Sequence, residues 1–304
     1  MNILIIGLGS IAKKHISAIR KRNIKVDLYA FRSLNTADTY QDIINVYDLN
    51  ELDIKFDFVI ISNPTNMHEE TILKVLHLNC PLFIEKPVLS NLTNANSIIE
   101  KIKKKQIITY VACNMRFHPA LIFIKNYLYN LKTQINEVNI YSGSYLPDWR
   151  PGINFRESYS TDNKNGGGVN LDLIHELDYC TWLFGNPIKI SSLKRSESSL
   201  SIKSFDCAYY NLIYSKFITN ISLNYFRRDA KREIEILTIE DTIIIDLLEN
   251  KIFKKVSGEI LYQEKFTMAD TYYEQLNYFI DHIQNNKYPM NDITEGIEVL
   301  KLAL

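Results

Sequence analysis

The chain has 304 residues, 35 Lys+Arg against 35 Asp+Glu, 46% apolar and 23% charged residues. This balance excludes a disordered chain and gives no reason to expect a nucleic-acid partner. No apolar run reaches the ~18 residues of a membrane span, and the opening MNILIIGLGS lacks the basic stretch of a signal peptide, so no membrane partner is expected.

Ile3–Ile6 reads as a short buried strand, and Ser10–Arg22 as a helix with Ile11, Ala12, Ile16 and Ile19 on one side. Val26–Phe31 and Phe58–Ile61 are further strands, with a helix at His68–Leu78 after the second. Pro81–Ile84, a helix over Asn91–Lys104 and a strand over Ile107–Ala112 complete the alternation, which predicts a doubly wound parallel sheet. Its strand C-terminal ends then share one edge, where ligands bind in such sheets. After Asn114 the pattern changes. A helix at Pro119–Leu131 precedes a strand beginning at Val138, a polar stretch over Leu146–Asn165 and one helix from Val169 to Phe184. Pro187–Phe266 is mostly strands, with Ile218–Phe226 alternating strictly, and helices at Tyr272–Gln284 and Ile293–Leu304 end the chain. The expectation is α/β: a Rossmann domain over 1–115, then an α+β domain over 116–304 with a large, mostly antiparallel open sheet. The terminal helices are candidates to pack back on the first domain. A one-sided antiparallel sheet needs cover, which predicts a homodimer or homotetramer.

Cys80, Cys113, Cys180 and Cys207 form no C-x-x-C pair, so reduced thiols in a cytoplasm are expected, with no metal site. Glycine is scarce at 10 residues, and five of them fall in Gly7/Gly9 and Gly166–Gly168. Gly7-Leu8-Gly9-Ser10-Ile11-Ala12 is a G-x-G-x-x-A turn between strand and helix. Gly7 permits the turn, Gly9 lets backbone approach a pyrophosphate, and Ser10 and Ile11 open the helix whose N–H groups face it. About 20 positions on, where an acid would accept from a ribose 2′-hydroxyl, stand Arg32 and Ser33. Both suit a 2′-phosphate, so NADP is expected over NAD. The alternative is a solvated Arg32 with NAD bound without its usual acid.

Three stretches then carry chemistry: Ser62-Asn63-Pro64-Thr65-Asn66-Met67-His68, Glu85-Lys86-Pro87, and Gly166-Gly167-Gly168 running through Asp172, His175 and Asp178. Together with the glycine turn, these motifs resemble the glucose–fructose oxidoreductase / inositol dehydrogenase / MocA family along essentially the whole chain. The resemblance implies a Rossmann domain, an open-sheet domain, and hydride transfer between nicotinamide and a hydroxyl carbon, usually of a sugar, inositol or nucleotide sugar. It assigns Lys86 to the nicotinamide and the reacting carbon. Three apart on a helix, Asp172 and His175 share a face, so the carboxylate orients an imidazole able to take the hydroxyl proton. The family's usual spacing is Asp-x-x-x-His, one residue longer than here. Asp178 is either a further support for His175 or a buried partner for an arginine.

Asn63, Pro64, His68, Glu85 and Asn114 complete the expected cofactor contacts. Arg116 is a substrate candidate, a domain-joining ion pair being its alternative. Trp149, Arg156 and Tyr159, of types that stack on sugars or fork onto anions, point to a nucleotide-linked or acidic sugar. Arg227, Arg228, Lys231 and Arg232 suit either a diphosphate pocket or a solvated strand edge. Two other classes are weighed: a dinucleotide-dependent glycosidase with no net redox change, and a non-catalytic dinucleotide sensor, which could dispense with Lys86 and His175.

Overall fold

The apolar run Ile3–Ile6 is buried as expected of a central parallel strand and, with the half-buried Asn2, forms β1 (Asn2–Ile6). Helix α1 (Ser10–Lys21) follows, burying Ala12, His15, Ile16 and Ile19 on one stripe. The computed structural model describes residues 1–33, 40–49, 54–130 and 133–304. Strands β2 (Asp27–Phe31), β3 (Ile44–Val46), β4 (Phe58–Ile61), β5 (Leu82–Ile84) and β6 (Thr109–Val111) join β1 in a parallel sheet of order β3-β2-β1-β4-β5-β6. This is the doubly wound order whose direction reverses between β1 and β4. Helices α2 (His68–Val75) and α3 (Ala95–Lys104) are its other crossovers. The α3 helix starts later than its apolar pattern predicts, because the Asn91 side chain accepts from Thr93 N–H at 2.9 Å and holds that stretch in a turn. The three-residue β3 went unforeseen, being too short for a period to register.

Contacts divide the chain into two units, Met1–Asn114 with Met268–Lys301, and Met115–Thr267 with Leu302–Leu304. The first therefore includes α7 (Met268–Gln284) and most of α8 (Ile293–Ala303). Phe279 of α7 meets Phe58 and Phe83 edge-on at 5.2 and 5.4 Å, an aromatic core spanning sheet and helix.

The second unit holds α4 (Pro119–Asn130), β7 (Ile135–Tyr145), α5 (Val169–Asp172), α6 (His175–Phe184), β8 (Lys189–Arg195), β9 (Cys207–Ile213) and β10 (Ile218–Asn224). β11 (Phe226–Thr238), β12 (Thr242–Asp246), β13 (Lys251–Lys254) and β14 (Ile260–Gln263) follow. The expected end of α4 at Leu131 lies outside the described residues. The sheet runs β14-β13-β12-β11-β7-β10-β9-β8, and all its pairs are antiparallel except β7–β10. No helix among the described residues is long and apolar enough to cross a membrane.

His118 pins this unit. It is fully buried, its Nε2 donates to the Leu247 carbonyl at 3.1 Å, and its ring stands edge-on to Phe266. Burial, aided by the Arg232 charge and opposed by the Leu247 bond, pushes its pKa down from 6.5 to about 4. The unfolded chain then takes up this proton first, so stability is intact above pH 6.5 and falls as pH drops from 6.5 towards 4. The full loss is on the order of 3 kcal/mol. Urea midpoints between pH 4.5 and 7 should show this slope, and His118→Gln, which keeps a donor but cannot titrate, should flatten it.

Candidate active site

At the reversal point of the parallel sheet, the turns after β1 and β4 interlock. Gly7 has φ +88°, and a Cβ there would lie 2.4 Å from both Cα and N of Asn63. Ser62 Oγ donates to the Gly7 carbonyl at 2.8 Å. Gly9 caps α1 with no side-chain bond to the helix end, and the first turn carries no acid, so its positive N-terminal end is uncompensated. Gly7, Arg32, Ser33, Asn63 and Pro64, all expected at the cofactor, line one cleft of about 360 Å³. Lys74, which sequence reasoning missed, lines it too, with its ammonium 4.2 Å from the Phe31 ring centre; Glu70 adds an acid. Asn63 Nδ2 donates to Thr71 Oγ1 at 2.7 Å, and its buried Oδ1 accepts no bond among the described residues. An uncapped helix end, a glycine turn without side chains and an unsatisfied amide oxygen together fit a dinucleotide.

Three residues expected at the cofactor each have protein partners. His68 is buried, with Nε2 2.9 Å from the Asn63 carbonyl and Nδ1 3.0 and 3.2 Å from the Pro87 and Val88 carbonyls, its single neutral-ring N–H donating to one side or the other. It braces the β4 turn against the turn after β5, and burial holds its pKa below the ordinary value. Glu85 is buried against His15, Nε2 to Oε1 2.5 Å. Asn114 donates to Thr271 Oγ1 of α7 at 2.7 Å. Lys86, half-buried, follows β5 at the sheet's C-terminal edge.

In the second unit the glycine triplet is sterically required. A Cβ on Gly167 would lie 2.1 Å from the Tyr159 carbonyl oxygen, and Gly168 has φ +125°. The single helix expected over Val169–Phe184 is two. Helix α5 ends at Asp172, Leu173 leaves helical geometry at φ −98°, ψ 34°, and α6 opens at His175. The two residues therefore do not share a stripe of one helix; they sit at the end of one and the start of the next, both buried. Asp172 Oδ2 accepts the Tyr225 hydroxyl at 2.6 Å. The Asp172 charge, with burial, pushes the nearby Tyr159 phenol well above its ordinary range and keeps it a donor. Burial first, then Asp172, does the same to Tyr225. Tyr225 was not foreseen as functional, although alternation through Ile221 and Leu223 set it on the inward face, where a buried tyrosine needs a partner. Trp149 stands edge-on to Tyr225 at 5.3 Å and donates Nε1–H to Ser144 Oγ at 2.8 Å.

Arg116 is no free substrate ligand. Its guanidinium makes two bonds to Asp178, at 2.8 and 3.0 Å, with both side chains buried. The pair lies inside the second unit, so it joins no domains, and Asp178 is the arginine's partner. Arg156 spends one N–H on the Leu200 carbonyl at 3.3 Å and stacks on Phe155. The basic cluster is largely neutralised: Arg227 pairs with Asp229, Lys231 with Glu233 and Arg232 with the buried Glu176, while Arg228 lies 3.6 Å over the Tyr145 ring. A diphosphate pocket is not what these residues build.

A Rossmann-type parallel sheet with a glycine turn at its reversal point, followed by a large, mostly antiparallel sheet, defines the fold class. Residues 1–113 match the oxidoreductase family with NAD-binding Rossmann fold, Gfo/Idh/MocA. It is 27% identical over 192 residues to the uncharacterized oxidoreductase YrbE of Bacillus subtilis, covering 60% of this chain and 54% of that one. It is 24% identical over 260 residues to scyllo-inositol 2-dehydrogenase (NAD(+)) of the same organism, covering 80% and 73%. Among solved structures, UDP-N-acetylglucosamine 3-dehydrogenase from Acidithiobacillus ferrooxidans shares the fold at TM-score 0.79 and 17% identity, over 100% of this chain and 95% of that one.

Proposed function

We propose that the protein is a nicotinamide-dependent dehydrogenase or reductase that moves a hydride to or from a CH–OH carbon of a sugar, a nucleotide-linked or acidic sugar being the substrate class. The observation that carries this is the junction of α5 and α6, where Asp172, bonded by the Tyr225 hydroxyl with the Tyr159 phenol under its charge, is followed three residues on by a buried histidine. A bound nicotinamide supplies the hydride acceptor or donor. The chain's own residues then divide the work. Gly7, Gly9, Ser10 and Ile11 present backbone N–H groups to the pyrophosphate, and Asn63 and Pro64 line the cleft beside them. Lys86 offers its Nζ to the oxygen of the reacting carbon. His175 takes the hydroxyl proton on an imidazole nitrogen in oxidation and returns it in reduction, with Asp172 and its phenols holding that region in place. Trp149 and Tyr159 supply faces for a sugar ring.

Support for the sugar class comes from the relatives named for an inositol and a UDP-sugar. For the cofactor, Arg32, Ser33 and Lys74 in one cleft favour a 2′-phosphate, hence NADP, although the named inositol relative uses NAD(+). The test is a screen of UDP-, GDP- and CMP-linked sugars and acidic sugars, following nicotinamide absorbance with NADPH and NADH and their oxidised forms. Turnover on a sugar with net absorbance change is expected; sugar cleavage without it would replace the dehydrogenase by a glycosidase. Arg32→Asp is expected to invert the cofactor preference, and undiminished NADP affinity in that variant would remove the 2′-phosphate assignment.

A further inference from the structure

We infer that His15 is a positioning residue for Lys86, acting through Glu85 and touching neither cofactor nor substrate; this rests on the role of Lys86 proposed above. His15 lies on α1, six residues beyond the Gly9 cap, and is fully buried. Its Nε2 is 2.5 Å from Glu85 Oε1. A carboxylate oxygen only accepts, so the imidazole carries its proton on Nε2. Nδ1 makes no hydrogen bond among the described residues, and the ring is otherwise packed edge-on against Phe83 at 5.0 Å and Tyr272 at 5.9 Å. Among the described residues, the only polar link of this side chain is therefore to Glu85.

Glu85 is itself almost wholly buried. Its N–H belongs to the sheet, donating to the Ile61 carbonyl at 2.9 Å, while its second carboxylate oxygen accepts the Lys86 N–H at 3.2 Å. A buried carboxylate that loses its donor either rotates towards water or carries the desolvation cost. Either response acts on the peptide that carries Lys86. The seat of α1 does not depend on the same bond, because Ala12, Ile16 and Ile19 hold the helix on the sheet. One imidazole thus sets the amine's backbone in register with the helix that opens at the glycine turn. His68 of α2 has its Nδ1 3.0 and 3.2 Å from the Pro87 and Val88 carbonyls, so a second buried histidine lies against the residues that follow Lys86.

The variants are His15→Leu, of similar volume but without a donor, and His15→Gln, whose amide N–H reaches where Nε2 does. With His15→Leu, kcat is expected to fall by about 10- to 100-fold, the scale of misplacing one catalytic group, while NADPH affinity by fluorescence titration stays within about threefold. His15→Gln should recover most of kcat; a contact that served folding alone would move melting temperature without this split. A readout free of turnover is the ¹³C signal of Lys86 in protein with reductively methylated lysines, assigned with Lys86→Arg. It should shift in His15→Leu and return in His15→Gln. Should His15→Leu fail to fold, Glu85→Gln, which weakens the same link, is expected to show the same kcat loss and the same lysine shift. Wild-type kcat and an unmoved lysine signal in either donor-loss variant, alongside a kcat loss in Lys86→Ala, would overturn the positioning role. Wild-type turnover in Lys86→Ala would instead remove Lys86 from the reaction, and the lysine signal alone then decides whether His15 sets its place.

Discussion

Replacing His175 with alanine is expected to lower kcat by about 10²- to 10⁴-fold, the usual worth of a positioned general base, with dinucleotide affinity unchanged. The residue opens α6, and its side chain is buried beside a junction rather than within a continuous helix. Little else in that segment can move a proton near neutrality. Arg116 and Asp178 are committed to each other, and the phenols of Tyr159 and Tyr225 are pushed far above the working range. Tyr225→Phe removes a hydroxyl bonded to Asp172 without emptying the core, and a loss of about tenfold is expected, as for one deleted hydrogen bond to a charged group. Steady-state absorbance assays of both variants check this order. Turnover of His175→Ala at the wild-type level would take the imidazole out of the mechanism.

The second large effect belongs to the glycine turn, where two neighbouring glycines serve different purposes. A methyl group at Gly7 would meet Asn63 Cα and N at 2.4 Å and the Ser62 carbonyl carbon at 2.7 Å, at a positive φ. Backbone cannot yield as a side chain does, so Gly7→Ala is expected to cost several kcal/mol, in the range of severe core overpacking with backbone strain. It should also abolish dinucleotide binding. At Gly9 the same methyl group meets nothing within 4 Å, and the backbone, φ −85°, is open to any residue. Gly9→Ala should therefore keep or slightly raise stability, by about 0.4–1 kcal/mol, while reducing dinucleotide affinity by tenfold or more, on the order of 1.4 kcal/mol. Thermal melts paired with binding titrations separate the two. Normal NADPH affinity in Gly9→Ala would mean that the pyrophosphate does not approach that backbone.

Local patterns gave most of the parallel sheet because its strands, such as Ile3–Ile6 and Phe58–Ile61, are continuously apolar and its turns carry the glycine chemistry. The three residues of β3 offered no such pattern, with Ile44 half-exposed at the sheet edge. The break at Leu173 was illegible for a different reason: VNLDLIHELDY is apolar at helical spacing on both sides, and only the backbone angles at Leu173 divide it. Partners distant in sequence were the other gap. His15 and Glu85 are 70 residues apart, and Tyr225 and Asp172 53 apart, so nothing local announces either pair. Arg116 and Asp178 were each suspected of pairing, yet only the fold could show that they choose one another.

The first unit is interrupted in the chain: its sheet is complete by Asn114, but the helix that brings Phe279 onto Phe58 and Phe83 starts only at Met268. During synthesis the sheet emerges with that aromatic flank uncovered, and at 5–20 residues per second the missing helix follows roughly 8–30 s later. The inserted second unit, contiguous from Met115 to Thr267 except for Leu302–Leu304, emerges almost whole within that interval. The nascent sheet is thus the stage most exposed to chaperone capture, and a ribosomal stall within the insert would leave it there.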